Sequence, residues 1–180
     1  MLAIVPFKGL DGAKTRLAAA LDAEQRGQLA AEMLERVLAA CKGAACIRRT
    51  LLVTPHPSAL GGADEVLADA GTGHADAVAL ALADPRARDG ALVVMADCPL
   101  VEPESLDALA AAARPLALAP AQDGGVNALA LRRMDGFVPR FGVPAETMAA
   151  ATRASGLEPV LVTDPRLAFD VDEPVDLARL

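Results

Sequence analysis

Short apolar runs alternate with amphipathic stretches along the first two-thirds of the chain. Runs of four to six largely apolar residues predict buried strands, and apolar positions three or four apart predict helices. The predicted strands span residues 2–5, 50–54, 91–95, 116–119, 126–131, 160–163 and 167–171. The predicted helices span residues 22–40, 74–83, 103–113, 144–154 and 173–180.

Several residues mark the ends of these helices. Asp22 and Gln25 have the spacing of a capping box, and Pro103 and Pro174 fall where a first helical turn tolerates proline. Because strands and helices alternate, we predict an α/β domain with a mainly parallel, doubly wound sheet. Ligands of such sheets bind beyond the carboxyl ends of the strands. We found no linker or repeat, so residues 1–180 form one predicted domain.

Composition restricts the function classes. The chain has 180 residues, 53% of them hydrophobic, and a net charge of −7, which argues against a general nucleic-acid surface. Three cysteines without a CxxC pair indicate neither a zinc site nor a disulfide framework. The apolar runs are too short or too alanine-rich to span a membrane, and we see no signal peptide, so a cytoplasmic location is expected.

The charges are unevenly distributed. Residues 1–53 carry eight basic and five acidic residues, net +3, whereas residues 54–180 carry nine and nineteen, net −10. This asymmetry suits a site with phosphate-binding cations from one part and metal-binding carboxylates from the other. A random distribution of charges, together with the surface charge that keeps a protein soluble, explains the asymmetry equally well.

The opening loop, "VPFKGLDGAKTRL", carries three cations, Lys8, Lys14 and Arg16. It follows the first strand, and its glycines allow a ligand to approach the backbone closely. Lysine and arginine there are suited to phosphate oxygens. The loop is neither a Walker A motif, since Ala13 precedes Lys14, nor a GxGxxG motif. The alternative is a loop of solvated cations.

Aspartates follow two predicted strands. In "VVMADCPLV", Asp97 is placed to bind Mg²⁺ or to cap the next helix. In "FDVDEPVDL", Asp170 and Asp172 are two apart, which places both side chains on one face of a strand. Asp172 is the favoured metal ligand, with Asp170 nearly equal, although Asp172 could instead cap the final helix.

The stretch "QDGGVNALALRR" contains a predicted turn at residues 123–125. Gly124 and Gly125 would also let a substrate lie against bare backbone. Asn127 could bind a ligand or serve as a strand-edge amide. His74 is either a hydrogen-bond donor to a ligand or a helix-start residue without a role.

Five motifs together resemble one known family over nearly the whole chain. "VPFK…AKTRL", "ADCPLV", "DGGVNALALRR", "RFG" and "FDVDEPVDL" occur in the order seen in the CofC/FbiD family. Members of that family are 2-phospho-L-lactate or phosphoenolpyruvate guanylyltransferases of coenzyme F420 biosynthesis. They are similar to the molybdenum-cofactor guanylyltransferases. The resemblance implies a Rossmann-like, three-layer nucleotidyltransferase fold with a mainly parallel, mixed central sheet.

The resemblance also implies substrates and site residues. The substrates would be GTP and a small phosphorylated acid, with Mg²⁺ as cofactor, and the alanine-rich surface permits a homodimer. Lys14 and Asp97 would be catalytic. The nucleotide-binding residues would be Pro6, Lys8, Gly9, Lys14, Arg16 and Gly73. The acceptor-binding residues would be Gly124, Gly125, Val126, Asn127, Gly142 and Ala145, and the metal ligands Asp97, Asp172 and Asp170.

The chain departs from the family pattern on the acceptor side. Val126 replaces a common threonine, residues 143–145 replace a Pro-Gly-Ser run, and residues 73–75 replace Gly-Leu-Asn. Valine and alanine cannot supply the hydrogen bonds of the residues that they replace. Two alternatives therefore remain beside the family reaction: a nucleotidyltransferase of the same fold with another acceptor, and a catalytically silent nucleotide-binding paralogue.

Overall fold

A single seven-stranded sheet forms the centre of the protein in its computed structural model, which describes residues 1–10, 12–57, 61–132, 137 and 140–180. Asp11 of the opening loop and Arg133 of "QDGGVNALALRR" lie outside the described residues. The strands are β1 (Leu2–Pro6), β2 (Arg49–Thr54), β3 (Glu65–Ala68), β4 (Ala91–Val94), β5 (Leu116–Pro120), β6 (Val126–Leu131) and β7 (Pro159–Leu161).

The strand order is β3-β2-β1-β4-β6-β5-β7. Strand β1 pairs in parallel with β2 and with β4, so its carboxyl end meets theirs at one edge. Strand β6 runs antiparallel to β4 and to β5, while the β2–β3 and β5–β7 pairs are parallel. The sheet is therefore mixed and mainly parallel, as predicted. Since β6 is reversed, the segment that precedes it lies at the same edge as the ends of β1 and β4.

Five α-helices accompany the sheet in the described part of the chain. They are α1 (Ala23–Gly43), α2 (His74–Leu82), α3 (Pro103–Ala112), α4 (Ala145–Ala154) and α5 (Pro165–Ala168). The predicted capping box is present at α1. The Gln25 backbone N–H donates to the Asp22 carboxylate, and the Asp22 backbone N–H donates to the Gln25 side-chain oxygen, both at 2.9 Å. The positions predicted for α1 to α4 are thus confirmed within a few residues.

Two aliphatic cores separate three layers. Helices α1 and α3 pack on one face of the sheet, and α2 and α4 pack on the other. A third, smaller cluster joins Leu17, Met33, Phe169 and Val171. This cluster matters for the site because it fastens the opening loop to the segment that carries Asp170 and Asp172.

The sequence prediction is wrong at residues 167–171, where we expected a strand. Residues 167 and 168 instead end α5, and residues 169–171 are neither strand nor helix. The first turn of α5 holds Pro165, and the Asp164 carboxylate caps its start by accepting from the Arg166 backbone amide at 2.8 Å. The final helix is a 3-10 helix, Pro174–Arg179. Strand β3 was missed, because its four residues form a half-exposed sheet edge without a continuous apolar run.

In the part of the chain that the structure describes, every helix is either too short or too polar to cross a bilayer.

Candidate active site

A cleft of about 480 Å³ opens at the edge of the sheet where β1 and β4 end. Its walls come from the loop after β1, the loop after β4, the segment before β6, and residues 141–142 and 170–172. Of the fifteen residues that the resemblance assigns to the site, twelve line it: Pro6, Lys8, Gly9, Lys14, Arg16, Asp97, Gly125, Val126, Asn127, Gly142, Asp170 and Asp172. His74, the other candidate ligand contact, lines it as well. The structure thus brings residues from both ends of the chain to one cleft.

Lys14 occupies the centre of the charged part of this cleft. Its Nζ donates to Asp97 Oδ2 at 2.6 Å and to Asp172 Oδ1 at 2.9 Å, and its side chain is only 12% exposed. Its backbone is left-handed, with φ 49° and ψ 47°, unlike every other non-glycine residue that the structure describes. That conformation costs about 1–2 kcal/mol in a residue with a Cβ, so the surrounding loop must hold it.

The electrostatics of Lys14 favour a permanent charge. Burial lowers the pKa of Lys14, but the charge of Asp97 and the hydrogen bonds from Asp97 and Asp172 outweigh burial, so the net shift is upward from 10.5. The lysine therefore remains an ammonium group at neutral pH. It is suited to stabilising negative charge rather than to accepting a proton.

Three aspartates form the acidic side of the cleft. Asp97, Asp170 and Asp172 each offer a carboxylate oxygen, and these oxygens lie within 4.8 Å of one another. Asp170 is 7% exposed, and its Oδ1 is buried without a hydrogen-bond partner. Burial and the charge of Asp97 raise the pKa of Asp170 to about 6. A buried, unpartnered oxygen among like charges fits a hard divalent cation with oxygen ligands, such as Mg²⁺.

The helix-capping alternatives for these aspartates are excluded. Glu102, not Asp97, stands at the start of α3, and Glu173 precedes the final 3-10 helix. Asp172 uses its carboxylate on Lys14 and on Arg16, whose NH1 lies 3.2 Å from Asp172 Oδ2. Although residues 169–172 are not a strand, extended backbone still turns alternate side chains to opposite sides. Phe169 and Val171 are buried, while the two aspartates line the cleft.

The residues predicted to bind the acceptor divide into two groups. Gly125, Val126 and Gly142 line the cleft. Gly124 and Ala145 do not line it; the Ala145 amide donates to the Gly124 carbonyl at 2.8 Å, and the Ala145 side chain is buried in the core of α4. The backbone groups at these two positions therefore connect the turn at 123–125 to α4.

Asn127 is a buried residue of the central strand β6 rather than a strand-edge amide. Its side-chain nitrogen donates to the carbonyls of Leu167 and Ala168 at 3.1 and 3.3 Å. These bonds hold α5 and, through it, the start of the segment that carries Asp170. The amide nitrogen is thus used for positioning within the protein.

A narrow side pocket adjoins the main cleft and shares Phe7, Lys8 and His74 with it. Gly73 lines this side pocket and not the main cleft. Asp69, directly after β3, also lines it, and Asp69 Oδ1 is buried without a hydrogen-bond partner. The sequence prediction does not include Asp69, because it does not include β3. With β3 recognised, an aspartate directly after a parallel strand would have indicated a candidate ligand-binding residue.

His74 begins α2 beside this pocket. Burial lowers the pKa of His74, and the positive charge of Lys8 lowers it further. The imidazole is therefore neutral at pH 7 and can offer one donor and one acceptor to a ligand.

Replacing Asp170 with asparagine should stabilise the metal-free protein by up to about 3 kcal/mol at pH 7, since it removes a buried charge whose Oδ1 has no hydrogen-bond partner. Because the folded protein raises the pKa of Asp170 from 3.8 to about 6, the penalty grows as pH rises through this window and is absent below it. Thermal unfolding in EDTA at pH 4 and pH 7 measures the effect. The Asp170→Asn protein should have a higher Tm than the wild type at pH 7 and the same Tm near pH 4. An equal gain in Tm at the two pH values would contradict the prediction. Asp89→Asn, which removes an exposed carboxylate, is the control.

Comparison with solved structures agrees with this fold. A nucleotidyl transferase from Methanothermobacter has the same fold, with a TM-score of 0.68 and 17% identity over 99% of this chain and 94% of that one. The protein shares its fold with nucleotidyltransferases, and its family match over the whole chain makes it an enzyme of that class. More narrowly, the chain belongs to the family of CofC-like guanylyl transferases, which matches residues 1–180.

Two relatives illustrate the family. The phosphoenolpyruvate guanylyltransferase of Sphaerobacter thermophilus is 36% identical over 99% of this chain and 91% of its own length. The 2-phospho-L-lactate guanylyltransferase of Methanocorpusculum labreanum is 32% identical over 99% of this chain and 81% of its own length. The resemblance inferred from the five sequence motifs is confirmed.

Proposed function

We propose that the protein transfers GMP from GTP to a small phosphorylated carboxylic acid, phosphoenolpyruvate or 2-phospho-L-lactate, with release of pyrophosphate, in coenzyme F420 biosynthesis. The observation that carries this proposal is the meeting of Lys14 with Asp97 and Asp172 inside one cleft, at 2.6 and 2.9 Å. Relatives that are named for the two acids support the choice of acceptor class. The three cysteines are free thiols, which is compatible with a cytoplasmic reaction.

The charges of the cleft argue for a divalent cation. Its lining carries three cations, Lys8, Lys14 and Arg16, against the four acids Asp97, Asp123, Asp170 and Asp172. A triphosphate and an anionic acceptor would add further negative charge. Asp97, Asp170 and Asp172 would hold Mg²⁺, which supplies charge neutralisation to the phosphates when it is bound.

The protein's own residues would act by alignment and charge stabilisation. An acceptor phosphate oxygen attacks the α-phosphorus of GTP, a P–O bond forms there, and the bond to the β-phosphate bridging oxygen breaks, so that pyrophosphate leaves. Lys14 would stabilise the charge on the transferring group, and Lys8 and Arg16 would hold the outer phosphates. The acceptor phosphate is already ionised, so the cleft needs no general base.

The acceptor would lie against Gly125, Val126 and Gly142, which line the cleft. Val126 presents an isopropyl group rather than a hydroxyl, and this wall therefore offers apolar contact. Both candidate acids have a small carbon end, a methylene or a methyl group, that can occupy such a wall. Valine in place of the family's common threonine at position 126 thus removes one hydrogen bond to the acceptor but leaves space for the acceptor to bind.

A turnover assay tests the proposal. The protein is incubated with GTP, Mg²⁺ and either phosphoenolpyruvate, 2-phospho-L-lactate or 3-phosphoglycerate, and pyrophosphate release is followed. Release that requires one of the first two acids supports the proposal. Release only with another phosphorylated acid would indicate a different acceptor, and tight GTP binding without release for any acid would indicate a silent nucleotide-binding protein.

The side pocket supports guanine as the base. A carboxylate can accept from the N1–H and the 2-amino group of guanine together, and Asp69 Oδ1 is a buried acceptor that lacks a partner. The pocket itself measures only about 10 Å³, so the guanine ring would lie in the adjoining main cleft and turn only its hydrogen-bonding edge toward Asp69, past Gly71 and Gly73, which carry no side chain. Asp69 is therefore our candidate for the residue that selects guanine.

Replacing Asp69 with asparagine should lower kcat/KM for GTP by about 10–100-fold, because the amide repels one of the two guanine donors. The same variant should show a smaller fall in kcat/KM for ITP, which lacks the 2-amino group. Steady-state kinetics with both nucleotides measure the difference, with Asp76→Asn on the exposed face of α2 as control. Equal losses for GTP and ITP would contradict guanine selection by Asp69.

A further inference from the structure

Arg26, in the first turns of α1, contacts both ends of the turn that carries Lys14. Its Nε donates to the Ala13 carbonyl at 3.2 Å, and its NH1 donates to the Leu21 carbonyl at 2.9 Å. Between these two carbonyls lies the 3-10 turn Thr15–Ala19, which Lys14 precedes. One side chain therefore bridges the whole segment from outside the charged cleft; Arg26 does not line that cleft.

The bond to Ala13 bears directly on the backbone of Lys14. The Ala13 carbonyl belongs to the peptide group that joins Ala13 to Lys14, and the orientation of that plane is coupled to the φ angle of Lys14. Lys14 has φ 49°, a conformation that persists in a non-glycine residue only where its surroundings impose it. A donor fixed against the Ala13 carbonyl is such a constraint.

Arg26 is itself held at a rigid place. The capping box between Asp22 and Gln25 defines the start of α1, and the Arg26 amide donates to the Asp22 carbonyl at 3.0 Å. The planar guanidinium carries several donors in a fixed arrangement, so it can serve two carbonyls at once. A lysine at this position would offer a single ammonium group and could not reproduce the same two-point geometry.

We propose that Arg26 is a positioning residue, which holds the backbone at Lys14 so that the lysine ammonium reaches the site of GMP transfer. The inference rests on the proposed role of Lys14. It assigns a function to a residue that does not itself line the cleft but binds the backbone of Ala13, which does. The competing explanation is that Arg26 stabilises the fold in general, without a specific effect on Lys14.

A double-mutant cycle separates the two explanations. The variants are Arg26→Gln, Lys14→Ala and the double replacement, with Arg36→Gln as a control at an exposed arginine of the same helix. We expect Arg26→Gln to lower kcat about 30-fold in the wild-type background, since misplacing a catalytic group by about 1 Å costs up to 10²-fold. In the Lys14→Ala background the same change should alter kcat less than about twofold, because the group that Arg26 positions is gone.

Arg26→Lys is the second variant and is used in the same cycle if Arg26→Gln does not fold. Arg26→Lys should retain more activity than Arg26→Gln. The fall in kcat that it causes in the wild-type background should likewise be absent in the Lys14→Ala background. Thermal unfolding of every variant accompanies the kinetics, and a fall in Tm should be similar in both backgrounds.

The outcomes are distinguishable. An equal fold-loss in both backgrounds, or no loss in the wild-type background, would overturn the inference about Arg26 while leaving the proposed function intact. Full activity of Lys14→Ala would overturn the role of Lys14 on which the inference rests. Absence of GMP transfer by the wild-type protein with any acceptor would be a failure of the proposed function itself.

Discussion

Replacement of Asp97 by alanine should lower kcat for GMP transfer by at least about 10³-fold. Asp97 lies where the three carboxylates approach within 4.8 Å, and it also holds Lys14 at 2.6 Å. The variant therefore weakens the cation site and releases one anchor of the lysine ammonium. Removal of one electrostatic group from such a site costs about 10²–10³-fold, and here two groups are disturbed together.

Kinetics at several Mg²⁺ concentrations provide the measurement. The Asp97→Ala protein should need more Mg²⁺ for half-maximal activity than the wild type, and EDTA should stop both. Asp89→Ala, at an exposed position outside the cleft, is the matched control and should keep full activity. Activity of Asp97→Ala within tenfold of the wild type, at unchanged Mg²⁺ dependence, would show that Asp97 has no part in the reaction.

Replacement of Lys14 by alanine should lower kcat by about 10²–10³-fold, with a smaller effect on KM for GTP. The Lys14 side chain is 12% exposed and its ammonium group stays charged, so its contribution should be largest where negative charge develops on the transferring group. Lys8 and Arg16, which also line the cleft, would remain to bind the triphosphate. The loss should therefore fall mainly on the chemical step.

The same replacement has a second expected effect that activity does not report. Without Lys14, the carboxylates of Asp97, Asp170 and Asp172 face one another with less compensating charge, and the metal-free protein should be less stable. Added Mg²⁺ should therefore raise Tm more in Lys14→Ala than in the wild type. Lys42→Ala, at an exposed lysine near the end of α1, is the control. A Lys14→Ala protein with mainly a raised KM would instead assign Lys14 to ground-state binding.

Much of the fold follows from local sequence signals. Strands β1, β2, β4, β5 and β6 have continuous apolar runs because they are buried on both faces, and such runs are visible without a structure. The start of α1 follows from Asp22 and Gln25. The signal fails at the sheet edge, where β3 is half-exposed and its residues need not be apolar.

The segment around Asp170 illustrates a different failure. Phe169 and Val171 alternate with two aspartates, which is the pattern of a half-buried strand. Alternation requires only extended backbone with one buried side, and here packing in the cluster with Leu17 and Met33 supplies that side without strand pairing. The inference that both carboxylates face one way nevertheless agrees with the cleft.

By itself, the sequence determined the class of sheet and the kinds of chemical groups available: cations in a glycine-containing loop, and aspartates after apolar runs. Their alternatives, solvated lysines and helix caps, were equally compatible with the local pattern. Only the tertiary structure decided between them, because Lys14 is separated from Asp97 by 83 positions and from Asp172 by 158. Contacts across such separations depend on strand order, on the reversal of β6 and on the left-handed backbone at Lys14, none of which a local pattern of apolar and polar residues specifies.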